Sequence, residues 1–421
     1  MDICSKRDLK ILTGTMVAAM LFSGCAKQPQ QLKFDPDIKA EINLNEVKKT
    51  DYDKDLMDQE YRRYCMDILR ETLKAEGSDV NLMISPASLM MALDMAAAGA
   101  KGDTLAQLTD LFAAGQGPLT QQAFAADLMD KLNSSKKVDF SVANSAWSNS
   151  LRADYAVNAD YIDYVKDTFL AEYNVRTFDD AGKEEINKWI DENTDHMIKE
   201  VIDELDPDAI MVLVNAIAFE GKWENGYDDD SVYGGEFLNA SGDKQSATFL
   251  TGSEEVYFGT EKATGFMKYY EGEEYAFVAI LPNDGSVSAN EFAIDFTAED
   301  YEAFVASAEY GEVIATMPEF TGDYECEMKE VLKALGVTNA FDTPDFSGIA
   351  GIPGGLGITD VIHRTHIEVN AKGTKAAAAS AVMMRDSVEQ VQTVLCNRPF
   401  MYAIVDAETM DPIFIGTVNE V

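Results

Sequence analysis

Few residues in this chain are arranged for chemistry. Its three histidines are His196, His363 and His366, and neither a His-Glu-x-x-His pair nor a Gly-x-Ser-x-Gly turn is present. The glycines of Gly351–Gly357 match neither dinucleotide-loop nor phosphate-loop spacing, and Asp228-Asp229-Asp230 lacks the spacing of a calcium loop. No catalytic centre, metal site or cofactor is expected. One stretch stands apart: Gly373-Thr374-Lys375-Ala376-Ala377-Ala378-Ala379-Ser380-Ala381. Four consecutive alanines favour helix, yet no amphipathic pattern follows. The run leads into Val382–Gln390, which has no Pro or Gly, and strand-like segments flank it at Val361–Val369 and Phe400–Val405. Its side chains are small enough to slide between other backbones at little entropic cost. A long segment joining two strands is either functional or disordered.

The elements that must hold this segment follow from periodicity. Tyr61–Ala75 reads as a first helix and Asn81–Ile84 as a short strand stopped by Ser85-Pro86. A helix follows over Pro86–Ala98, with Pro early and Gly99 at its end. Thr104–Ala113, Leu119–Leu132 and Glu184–Ile202 also read as helices. Ile210–Phe219, apolar but for Asn215, has the pattern of a strand buried on both faces. Strands then dominate to Val421, at Val256–Phe258, Ala276–Leu281, Val313–Met317, Val361–Val369, Phe400–Val405 and Ile413–Val418. Helices first and strands later, without a long linker past residue 60, predict one large α+β domain.

Composition narrows the partners. With 74 acidic against 34 basic residues the formal net charge is −40, which repels nucleic acid and anionic lipid surfaces. The five cysteines (Cys4, Cys25, Cys65, Cys326, Cys396) are too scattered for a disulfide framework, so stability must come from the core.

The N-terminus reads as a targeting segment. Lys6, Arg7 and Lys10 precede the short apolar run Ile11–Phe22, and Ser23-Gly24 precede Cys25. The run is too short to span a bilayer. Leu21-Phe22-Ser23-Gly24-Cys25 resembles a bacterial lipobox, with Phe22 where Leu is usual; an ordinary signal peptide cut nearby is the other reading. The expected organisation is a lipoprotein-type signal peptide over 1–24, a flexible tether over 25–58 and a folded domain over 59–421. The protein is expected to be exported, at the cell surface or extracellular, and held to a membrane by lipid on Cys25.

Several motifs in order resemble one family, the serpins, over roughly residues 60–421. Asn81-Leu82-Met83-Ile84-Ser85-Pro86-Ala87-Ser88 is similar to its core-helix opening, and Gly99–Thr104 to the turn that follows. Leu213-Val214-Asn215-Ala216-Ile217-Ala218-Phe219-Glu220-Gly221-Lys222-Trp223 resembles its L-V-N-A-x-x-F-x-G-x-W. Met317-Pro318-Glu319-Phe320, Ala340-Phe341-Asp342, Asp345-Phe346-Ser347-Gly348, His363, Ile367–Asn370, the Gly373–Ala379 run and Asn397-Arg398-Pro399-Phe400 complete the series.

The resemblance implies a single serpin-type domain of about nine helices and three β-sheets, with an exposed reactive-centre loop over about 371–396. It implies a monomeric inhibitor that is not an enzyme and that traps serine proteases. The protease attacks the loop and forms an acyl-enzyme, and the cut loop inserts as a new strand into the main sheet. Gly373, Thr374, Lys375, Ala376, Ala377, Ala378, Ala379 and Ser380 would form the hinge, with Thr374, Ala376, Ala378 and Ser380 turned inward, all of them small. Ala371 and Lys375 stand where the family usually has Glu. The scissile bond falls at Ser387-Val388 or, counted back from Asn397, at Val388-Glu389; both suit an elastase-like target, while Arg385 would suit a trypsin-like one and Met384 a chymotrypsin- or cathepsin-like one. Ser85, Ser88, Asn215 and His363 would line the shutter where the sheet parts, and Trp223 would mark its upper end. Residues Asn187–Ile198 resemble a family helix end in which His196-Met197 replaces Gly-Lys. The alternative is a non-inhibitory serpin serving as a binding or carrier surface lipoprotein.

Overall fold

Ser85 ends the strand Leu82–Ile84 and starts the helix at the centre of the molecule. Its hydroxyl accepts the Ser88 N–H at 3.2 Å, and Pro86 occupies the first turn, where its missing donor costs nothing. This helix, Pro86–Ala97, is buried along nearly its whole length, as expected for a helix apolar on all sides. The structure, a computed structural model, describes residues 33–421 apart from 78–79, 114, 151, 153–154, 195, 199–201, 352–355, 359–360 and 375–390. Among the described residues are ten α-helices, two short 3-10 helices and sheets of two, nine and six strands. The α+β class and the three sheets are as expected, with one α-helix more than expected.

The helices used below are α1 (Lys54–Glu76), α2 (Pro86–Ala97), α3 (Pro118–Ser134), α4 (Ala159–Phe169) and α5 (Asp180–Asn193). The six-stranded sheet contains β1 (Asp139–Asn149), β2 (Glu172–Arg176), β3 (Met211–Lys222), β4 (Phe320–Glu327), β5 (Ile362–Asn370) and β6 (Gly373–Thr374). Its order is β4–β5–β6–β3–β1–β2, antiparallel throughout except for β1 with β2. Side chains alternate across the sheet. Ile217, Phe219, Ile367 and Val369 join the main core on the α2 side, whereas Val214, Ala216, Ala143 and Trp147 pack beneath α5 with Ile186 and Ile190.

Three expectations need correction. The tether does not extend to residue 58. From Lys33 onward the chain is bound to the body: Lys33-Phe34 pair with Ala156-Val157, Val47 is wholly buried, Tyr52 donates to Asp127 at 2.7 Å, and α1 begins at Lys54. Polar composition was misleading here, because isolated apolar residues such as Val47 anchor the segment. The helix expected over Glu184–Ile202 ends at Asn193, and Thr194 accepts the break by bonding its hydroxyl to Ile190 O at 2.8 Å. β1 escaped the sequence reading altogether. Its Ser145, Ser148 and Asn149 are buried polar residues in a central strand, so its pattern has no apolar alternation.

One buried acid was also missed. Asp94 on α2 is fully buried, held by the side-chain amides of Gln121 and Gln122 on α3, while its Oδ2 and the Gln121 Oε1 have no partner. Burial drives its carboxyl well above the usual carboxylate range. The folded chain therefore keeps a proton that the unfolded chain releases, and this group's stabilising contribution is lost as pH rises above the ordinary carboxylate range. Asp94→Asn, which keeps the shape and supplies a donor for Gln121, is expected to raise the melting temperature at pH 8 more than at pH 5. An equal or opposite effect at the two pH values, read by calorimetry, would refute the neutral assignment.

Candidate functional site

Gly373 and Thr374 form a two-residue strand wedged between β5 and β3. Gly373 opposes Asn370 and Lys222, and Thr374 opposes Val369 and Gly221. Gly373 has φ +146°, and a Cβ there would lie 2.2 Å from the Gly221 carbonyl oxygen, so only glycine admits the close approach. The resemblance had marked this residue as part of a hinge; the geometry supplies the steric reason for its identity. Beyond Thr374 no strand stands between β3 and β5 among the described residues. Lower down, from the level of Asn215 and His363, lies a cavity of about 360 Å³ lined by Leu89 and Leu93 of α2, Val212 and Asn215 of β3, Ile358 and His363.

The four residues expected at the shutter all touch this region. The Ser85 N–H donates to His363 Nε2 at 2.9 Å, and the Ser85 hydroxyl donates to Ile413 O at 2.8 Å. The Ser88 hydroxyl bonds the Asn215 Oδ1, and the Asn215 amide donates to Asn144 Oδ1 at 2.5 Å. Asn144, on the unpredicted β1, closes the chain by donating to Phe169 O at 2.7 Å. His363 and Asn215 thus sit on opposite banks of the cavity, each bonded to α2. Burial pushes the His363 imidazole down to about 4, so at neutral pH it is uncharged, with Nε2 as acceptor and the hydrogen on Nδ1.

The upper end is closed by Trp223. Its Nε1 donates to Asn370 O at 2.9 Å, and its ring stacks on Tyr270 with centroids 4.6 Å apart. Lys268 lies beneath, 5.4 Å from the Trp223 ring and 4.3 Å from the Tyr227 ring, and pairs with the buried Glu254 at 2.7 Å. Burial raises the Glu254 carboxyl, with the Lys268 charge opposing that shift. The Tyr227 N–H donates to Ala371 O at 3.0 Å, and the Ala371 N–H donates to the Glu319 carboxylate at 3.1 Å. At the position where the resemblance leads one to expect a Glu, a backbone amide thus contacts the neighbouring carboxylate directly. Lys268, Glu254 and Tyr227 went unnoticed in the sequence because nothing in their spacing links them.

The connector from α5 to β3 walls the cavity from the other side through Ile202 and Leu205. Asn187 of α5 grips it twice, donating to Ile202 O at 2.8 Å and accepting the Ile202 N–H at 2.9 Å. Where His196 replaces the family's Gly, the backbone is left-handed at φ +63°, and the imidazole Nδ1 lies 2.7 Å from Asp191 Oδ2. The remaining sequence-derived sites lie outside the described residues: Cys25, Lys375–Ser380 of the hinge, and the scissile region with Met384, Arg385, Ser387, Val388 and Glu389.

Comparison with known proteins agrees with this geometry. Residues 59–421 match the family model for Serpin (serine protease inhibitor). Iripin-5 of Ixodes ricinus is 31% identical over 374 residues, covering 85% of this chain and 93% of its own. Intracellular coagulation inhibitor 2 of Tachypleus tridentatus is 28% identical over 358 residues, covering 81% and 86%. The native-state crystal structure of tengpin, a thermophilic serpin, superposes with a TM-score of 0.79 at 31% identity, covering 94% of this chain and 99% of its own.

His363 makes the cavity sensitive to acid. Its ordinary value is 6.5 and its folded value about 4, so between these the unfolded chain binds a proton that the folded chain refuses. Stability falls as pH drops through that window, by up to about 1.4 kcal/mol per pH unit from this group. His363→Gln is expected to flatten the loss between pH 6.5 and 4.5 in urea unfolding. An unchanged slope in the variant would refute the assignment.

Proposed function

The chain belongs to the serpin family, and we propose that it inhibits serine proteases by inserting its cleaved reactive-centre loop into the six-stranded sheet. One observation carries this reading: the strand position between β3 and β5 is held at its upper end by β6, and a cavity opens lower down at the level of Asn215 and His363. Extending the β6 register residue by residue sets Ala376, Ala378 and Ser380 opposite Phe219, Ile217 and Asn215 on β3. The same step sets them opposite Ile367, Thr365 and His363 on β5. Directly opposed residues share a face of the sheet, and Phe219, Ile217 and Ile367 belong to the main core. Each loop residue that must turn inward is therefore small, and the one that reaches the polar cluster carries a hydroxyl.

The driving force is backbone pairing. About ten new main-chain hydrogen bonds at roughly 0.5–1.5 kcal/mol each amount to on the order of ten kcal/mol. A fold that withholds such a gain is held kinetically until the loop is cut. The target we favour is elastase-like, cut at Ser387-Val388 or one residue later, because a Ser or Val before the bond suits a small specificity pocket. The same proposal has the protein exported and lipid-anchored at Cys25.

Incubation with leukocyte or pancreatic elastase is expected to yield an SDS-stable complex, and mass spectrometry of the cut loop to place the bond within Arg385–Glu389. Loop cleavage without complex formation by elastase-, trypsin-, chymotrypsin- and subtilisin-like proteases would sink the inhibitory reading. Thr374→Arg is expected to convert the inhibitor to a substrate, because a charged side chain cannot enter the core position beside Gly221 and Val369. Retained inhibition in that variant would show that the hinge begins elsewhere.

A further inference from the structure

Residues 223–227, which follow β3, grip the turn that joins β5 to β6. This one segment caps three consecutive carbonyls of the turn. The Trp223 indole donates to Asn370 O at 2.9 Å, the Tyr227 N–H to Ala371 O at 3.0 Å, and the Trp223 N–H to Lys372 O at 3.4 Å. The segment is itself built around Lys268. The Lys268 ammonium donates to Asn225 O at 2.9 Å and lies 5.4 Å from the Trp223 ring centroid and 4.3 Å from that of Tyr227. The two ends and the middle of the segment thus meet one cation.

Lys268 is 2% exposed, and Glu254, its partner at 2.7 Å, is buried with it. A buried ion pair is a poor source of stability, because desolvation offsets much of the attraction. What it orders is the better explanation for it. The Tyr227 hydroxyl points the same way: it is buried without a hydrogen-bond partner, a costly arrangement for a side chain placed for its oxygen. The ring is held by its face instead, against the ammonium. The packing has no slack, since a Cβ on Gly252 would stand 3.1 Å from the Tyr227 ring and 3.2 Å from the Glu254 carboxylate.

We propose that Lys268 is a positioning residue for loop insertion: backed by Glu254, it makes residues 223–227 a clamp on the β5–β6 turn. β6 runs antiparallel to both β5 and β3, so insertion extends a hairpin whose turn is residues 371–372. With that turn fixed, each added residue closes only a short loop, whereas a released turn must first be re-formed. The clamp therefore favours strand growth over hydrolysis of the acyl-enzyme. The inference rests on the insertion reading above and deepens it by naming what holds the starting point.

Lys268→Met keeps the apolar stem and removes the charge. The test uses the full chain and whichever elastase-, trypsin-, chymotrypsin- or subtilisin-like protease the parent captures. The variant is expected to raise the stoichiometry of inhibition about threefold to tenfold. In the uncut protein, hydrogen exchange is expected to quicken about tenfold at the Tyr227 amide and to stay unchanged in the core strand Tyr275–Pro282. Tyr227→Leu leaves the ion pair whole and removes the caging ring. It is expected to move both readouts the same way, and it replaces Lys268→Met if the unpaired Glu254 prevents folding. Unchanged stoichiometry in a folded variant overturns the positioning role, whatever the exchange at residue 227. So does exchange that quickens equally in Tyr275–Pro282, since the pair would then only support the fold. A parent that forms no SDS-stable complex with any of the four proteases removes the insertion reading and this inference together. A parent that forms one, with variants of equal stoichiometry, removes the clamp alone.

Discussion

The structure depends on two strands, β3 and β5, that among the described residues have only the two residues of β6 between them. They are joined at the top by the two residues of β6, and a cavity lies lower down, lined by Asn215 on one and His363 on the other. Edge backbone that pairs with nothing is a standing invitation to any strand of the right shape. Here the approach is restricted on every side. α2 underlies the cavity with small and aliphatic residues, and the Ile202–Ala209 connector walls it on the other side.

The polar groups around the cavity are arranged to be satisfied without filling it. Ser85 and Ser88, both near the start of α2, bind His363 on one bank and Asn215 on the other. A neutral imidazole and an amide can exchange hydrogen-bond partners at low cost, whereas a charged pair at the same depth would carry a large desolvation penalty. The buried charges stand at the periphery instead. Lys268 and Glu254 lie under the Trp223 and Tyr227 rings at the upper end.

Much of this was legible in the sequence. The Ser85-Pro86 helix start, the apolar run of β3 and the small residues of Gly373–Ala381 are local patterns with local causes. The motif series named the family because each motif recurs in order. β1 was not legible, since Ser145, Ser148 and Asn149 satisfy their polar groups through tertiary neighbours and leave no alternation to read. The segment from Lys33 to Asp53 was misjudged for the opposite reason: its composition is that of a linker, and a few anchors such as Val47 hold it to the body.

By itself the sequence determined that the hinge is small, that its first residue is glycine and that position 375 carries a positive charge. Those are properties of side-chain type, and they hold in any environment. Only the tertiary structure decided what each property meets. Gly373 must be glycine because the Gly221 carbonyl would stand 2.2 Å from a Cβ. The register of β6 sets Gly373 opposite Lys222 and Asn370, and Thr374 opposite Gly221 and Val369. The β3 partners lie far from the hinge along the chain, and strand pairing across such a distance is set by the whole fold, because the core admits only one register.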